Sequence, residues 1–257
     1  MIKLLFALFV VLPAGVAHAA NSDIVKTNDS IHIESGQSVG NVRTTNGSVT
    51  IAGGAKVQSA SSTNGNVELG DSAQADELKT TNGRITAGTH AKVSGRISTT
   101  NGSIRIGKDA EVGGKVTTAN GSTRLDGAHV AGGIEAGPGT VTVGPGSKVE
   151  GGIRTVDGSI TIVGATVTGG LSIDPANNSE CTHDCHDTGT TTFMGVVRAI
   201  IGGKQSDAKK PRVVIGPGAV VEGKINFRRD VDLYVSDKAK IGAVEGATAK
   251  TFTGDKP

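Results

Sequence analysis

Apolar–polar–apolar triplets recur along this chain at an almost constant interval. The apolar pairs include Val49/Ile51, Val67/Leu69, Ile85/Ala87, Ile104/Ile106, Val141/Val143 and Ile160/Ile162. Each pair stands three and five residues after a turn position, at Asn46, Asn64, Asn82, Asn101, Pro138 and Asp157. With Asn28 and Asn120 included, the turns are spaced by 18, 18, 18, 19, 19, 18 and 19 residues. A second apolar column follows at Val57, Ala75, Val93, Val112, Val130, Val149 and Val167. A third runs through Val42, Ala60, Leu78, Ile97, Val116, Ile134, Ile153 and Leu171. Two residues beyond the third column comes a small or hydroxyl residue: Thr44, Ser62, Thr80, Thr99, Thr118, Ala136 and Thr155.

Asn-Gly between alternating apolar residues is a hairpin signal. These strands of three to five residues are too short to be hairpin arms, and a hairpin meander would not hold so constant an interval. A solenoid satisfies both facts, because each repeat is one coil and each strand pairs in parallel with its copy in the next coil. The pattern therefore predicts an all-β fold: a parallel β-helix of about ten triangular coils, each of 18–19 residues with three short strands. Ten coils at about 4.8 Å each make a rod of roughly 48 Å. Asn46, Asn64, Asn82, Asn101 and Asn120 are expected to stack as a turn ladder of buried amides bonded along the column.

The pattern stops after Ile173 and returns at Val213, Ile215, Val221 and Ile225, which match Val141, Val143, Val149 and Ile153. The chain divides accordingly into residues 1–19, 20–173, an insert at 174–211, final coils at 212–247 and a tail at 248–257. "VTVGPGSKVEGGI" (141–153) and "VVIGPGAVVEGKI" (213–225) resemble the bactofilin, or polymer-forming cytoskeletal, β-helix family. The "TTNG" coils are similar to β-strand repeats of bacterial adhesins. The resemblance implies a compact right-handed β-helix of triangular section that stacks end to end into filaments. Bactofilins are typically cytoplasmic and need neither an export leader nor an insert.

Residues 1–19 read as a signal peptide: Lys3, an apolar run Leu4–Leu12, then Pro13 and an A-x-A site at Ala17-His18-Ala19. The run is too short to span a bilayer, so the mature chain is expected to have no transmembrane span and to be exported to the periplasm or cell surface. Charge is balanced, with 26 basic and 24 acidic residues, which points to no nucleic-acid partner. Aromatics make up 2% of the chain, too few for the sugar platforms of a polysaccharide-active enzyme. The carboxylates are scattered over different corners, whereas glycoside hydrolysis needs two across a cleft.

The unusual chemistry lies in the insert, at "CTHDCHD". Cys181 and Cys185 suit a disulfide in an oxidising compartment. Cys181, His183, Cys185 and His186 also suit a metal site for zinc or copper, although the spacing is tighter than common zinc motifs. Haem attachment is a third reading, and free thiols are the remaining one. A haem attachment signal would be C-x-x-C-H, whereas the spacing here is C-x-x-x-C-H. "TTTFMGVVRAIIGG" (190–203) places Phe193, Val197, Ile200 and Ile201 at helical spacing, between Thr and Gly cap signals, and predicts a short helix. The expected function is a non-catalytic structural or adhesive β-helix of the bacterial envelope, with self-association into filaments or oligomers and contact with envelope glycan or protein. The alternative is a periplasmic metal- or ligand-binding module built on the 174–211 insert; a polysaccharide-active enzyme comes third.

Overall fold

The computed structural model describes residues 22–175 and 210–257. Every described strand pairs in parallel with the equivalent strand one coil away, and no helix occurs among the described residues. Among the described residues, the first face of the solenoid is a sheet of 11 strands. Its register links Ile31, Val49, Val67, Ile85, Ile104, Thr123, Val141, Ile160, Val213 and Leu233, one residue per rung. All ten side chains are buried. Parallel pairing in this register puts like on like, so the aliphatic positions form continuous inner rows. Burial of each such side chain contributes about 1.5–3 kcal/mol, and one coil alone could not achieve it. Thr123 takes an aliphatic place in its row; its hydroxyl is buried and has no hydrogen-bond partner among the described residues.

Among the described residues, the other two faces form one sheet of 18 strands because the first coils do not separate them. Ser38–Thr44, Lys56–Ser62 and Gln74–Thr80 each run through both columns as seven-residue strands. Separate strands begin at Lys92–Val93 and Ile97–Asn101. The expectation of three short strands per coil therefore holds only from Lys92 onward. The inner residues Val57 and Ala60 are three positions apart, whereas Val93 and Ile97 are four apart. The extra residue makes a corner. From Gly113-Gly114 through Gly169-Gly170 this corner is mostly a glycine pair, and Gly133, Gly152 and Gly170 have φ of +84°, +81° and +85°. Only glycine adopts such a backbone freely.

A further inner column escaped the sequence pattern. Ala55, Ala73, Ala91, Ala110, Ala128, Ala165 and Ala219 are all buried at the corner after the first face. The residue before each takes a left-handed conformation, at Gly54, Ser72, His90, Asp109, Gly127, Gly164 and Gly218. A left-handed residue turns the chain sharply, and only a small side chain fits inside the turn.

The insert does not interrupt the stack. Ile160–Ile162 pairs with Val213–Ile215, and Leu171–Ile173 pairs with Ile225–Phe227. Among the described residues the first face has eleven rungs, in line with the about ten coils expected, the last of them because Lys250–Phe252 pairs with Tyr234–Ser236. The segment read as a tail thus supplies one more strand. Its Ala249 and Thr251 are small or polar where most other rungs carry Val, Ile or Leu, so the apolar pattern does not reveal it.

Candidate functional site at the Asn-Gly corner

The ladder of turn asparagines is present. Each side-chain amide donates to the carbonyl oxygen of the preceding Asn: Asn46 to Asn28 (2.9 Å), Asn64 to Asn46 (2.8 Å), Asn82 to Asn64 (2.8 Å), Asn101 to Asn82 (2.9 Å) and Asn120 to Asn101 (3.0 Å). The ladder is not buried, contrary to the expectation. Asn46, Asn64, Asn82 and Asn101 are exposed, because the inner side of the corner is filled by Thr44, Ser62, Thr80, Thr99 and Thr118. These buried hydroxyls donate to backbone carbonyls one coil below. Ser62 reaches Gly47 O at 2.7 Å, Thr80 reaches Gly65 O at 2.8 Å and Thr118 reaches Gly102 O at 3.1 Å. Each of these turn carbonyls thereby gains a partner. Ala136 breaks this row where the turn changes to Gly137-Pro138-Gly139.

The glycines of this corner are required for space. Gly47, Gly65, Gly83 and Gly102 do not have the positive φ of a two-residue hairpin turn. A Cβ at Gly65, Gly83, Gly102 or Gly121 would overlap the carbonyl oxygen of the turn glycine below it. Asn-Gly here marks close stacking of coils.

The insert leaves and rejoins the stack at this same corner, among fixed charges. Asp174 is 2% exposed, and Arg154 Nε donates to its Oδ2 at 2.6 Å. Arg228 Nε lies 3.8 Å from Asp174 Oδ1. Arg229 pairs with Asp157, and the buried Nε of Arg229 has no partner among the described residues. Arg212 N–H donates to Ser159 Oγ at 3.1 Å where the chain returns. The cluster links three successive coils and pins both ends of the excursion. Sequence reasoning did not find it, since its members come from both sides of the insert and follow no fixed offset.

Two carboxylates elsewhere titrate below their ordinary range. Asp23 is held down chiefly by the backbone N–H of Asn41, donated at 2.7 Å, and then by the Asn41 side-chain amide. Glu150 is held down by Lys148 first and His129 second. Asp23 stands at the N-terminal edge and supplies the acceptor that Asn41 would otherwise lack. Because its folded-state pKa lies below 3.8, this stabilisation is present above that pH and is lost as pH falls through the folded value. The Asn41 amide proton shift is expected to titrate with a midpoint below 3.8 and to lose that step in Asp23→Ala. A midpoint at or above 3.8 would contradict the bond.

Cys181, His183, Cys185, His186 and the helix expected from Phe193 onward lie outside the described residues, as does the segment read as a signal peptide. Among the described residues, no group of three or more His, Cys, Asp or Glu side chains is placed to hold a metal ion, and no helix is long and apolar enough to cross a membrane. No family model, curated protein or solved structure matches the chain.

Proposed function

We propose that the chain is an exported, non-catalytic β-helix of a bacterial cell envelope, structural or adhesive in role, that assembles end to end. The observation that carries this reading is the edge strands at the two ends of the described stack. Ile24–Lys26 and Ile31–Ile33 each pair on one side only among the described residues, and so does Lys250–Phe252 at the other end. Such edges expose unpaired N–H and C=O groups and act as templates for another chain. Val25, in the first strand, is 72% exposed. The export leader at residues 1–19 and the scarcity of aromatics support a scaffold outside the cytoplasm. Along the outer faces, charges are largely taken up by neighbours, as in Lys115–Glu135 at 2.6 Å and Lys224–Glu245 at 2.7 Å. That arrangement suits a stiff rod better than a reaction centre.

Sedimentation and electron microscopy of the mature protein test the proposal. Filaments that grow with concentration are expected, with fewer and shorter ones in Val25→Lys, since edge lysines discourage strand addition. A strict monomer at high concentration would overturn it.

A further inference from the structure

Five of the six asparagines of the ladder, all but Asn28, are each followed by glycine, the neighbour least able to shield a backbone nitrogen. An Asn-Gly pair can modify itself. The Gly nitrogen attacks Asn Cγ, a new C–N bond closes a succinimide, and the Cγ–Nδ2 bond breaks. The glycine proton leaves with the amide nitrogen as ammonia. Water then opens the ring to aspartate or isoaspartate. The balance is one water consumed and one ammonia released, and no other reactant enters.

The ladder does not protect its members equally. Asn46, Asn64, Asn82 and Asn101 use both ends of the side-chain amide: Nδ2 donates downward and Oδ1 accepts from above. Cyclisation at any of them breaks two hydrogen bonds. Asn120 donates through Nδ2 to Asn101, but its Oδ1 has no partner among the described residues, because the aligned position in the next coil is Pro138. Asn28 ends the ladder on the other side and is followed by Asp29. Asn120-Gly121 is therefore the one Asn-Gly pair at a ladder end. Gly102 is further restrained, as its N–H donates to Asn120 O at 2.9 Å.

We propose that Asn120 is a self-modification site that deamidates through Gly121, and that conversion then passes down the ladder in the order Asn101, Asn82, Asn64, Asn46. The order follows from the hydrogen bonds. A carboxylate at position 120 has no proton to donate, so Asn101 Oδ1 loses its partner and Asn101 becomes the new end. Each step adds one negative charge to an exposed corner.

Peptide mapping by mass spectrometry on the folded, full-length protein held at mildly alkaline pH tests this. Conversion at Asn120 is expected to outpace Asn82, Asn64 and Asn46 by about fivefold or more, the effect of one hydrogen bond on a rate. Asn101 should follow only after a lag. In denatured protein all five sites should convert at similar rates. Pro138→Asn places a donor in register above Asn120, and the fold of this variant is checked by circular dichroism. It should slow Asn120 by the same factor and move the reactive end to position 138. Equal rates in the folded protein, an intact Asn120 where denatured protein reacts, or an unchanged Asn120 rate in Pro138→Asn would each overturn the proposal.

Discussion

Gly83→Ala is expected to destabilise the solenoid by about 3 kcal/mol or more, lowering Tm by roughly 10 °C, or to prevent folding. The added Cβ would overlap Gly65 O and press on Gly65 C, both of them backbone atoms that cannot rotate aside. Relief requires the two coils to part at this corner. Parting them strains the Asn82–Asn64 bond and the Thr80 hydroxyl bond to Gly65 O. Gly107→Ala is the control, since its Cβ would find its nearest neighbour, Ala87 O, at 3.1 Å. A few tenths of an ångström of adjustment suffice there, and a loss of about 1 kcal/mol is expected. Denaturant titration followed by circular dichroism measures both. Equal midpoints for the two variants would show that the corner is not tightly stacked.

Arg154→Ala is expected to lose about 3–5 kcal/mol, because it leaves the Asp174 carboxylate almost fully buried without its closest cation. Arg228 remains, but at 3.8 Å and from an exposed position it replaces little of the lost bonding. The double variant Arg154→Ala/Asp174→Asn should recover much of the loss, since a neutral amide tolerates burial better than an unpaired charge. Double-mutant analysis of unfolding midpoints reads the coupling. Strict additivity of the two substitutions would mean that the pair does not act as a unit.

The scaffold was legible in the sequence for a specific reason. Stacking in register requires the same kind of residue at the same place in every coil, so Val49, Val67 and Ile85 repeat in the chain as they do in the structure. Residues that serve the corners were harder to see. Ala55, Ala73 and Ala91 are buried at a fixed offset, yet alanine is common on surfaces and gives no contrast. His90 and Asp109 hold left-handed positions, with φ of 55° each, that glycine holds in other coils, which hides that column too. The Asn ladder was legible as a column, but its burial was misjudged. An interval of 18 or 19 residues shows that side chains stack; it does not show on which side of the corner. The ion pairs around Asp174 and Arg229 could not be read, because they depend on how two stretches separated by the insert come back into register.

That return has a consequence for how the molecule can change. Val156 aligns with Asp174, and Ile160 aligns with Val213. Three residues bridge the first pair of positions to the second in one coil; 38 residues, numbers 175–212, bridge them in the next. The phase of the rungs is the same on both sides. Segment length at this point is thus decoupled from the periodicity of the rod. The corner is a port where chain can be gained, lost or exchanged while every other rung keeps its count, and the cargo carried there can diverge without the scaffold having to follow.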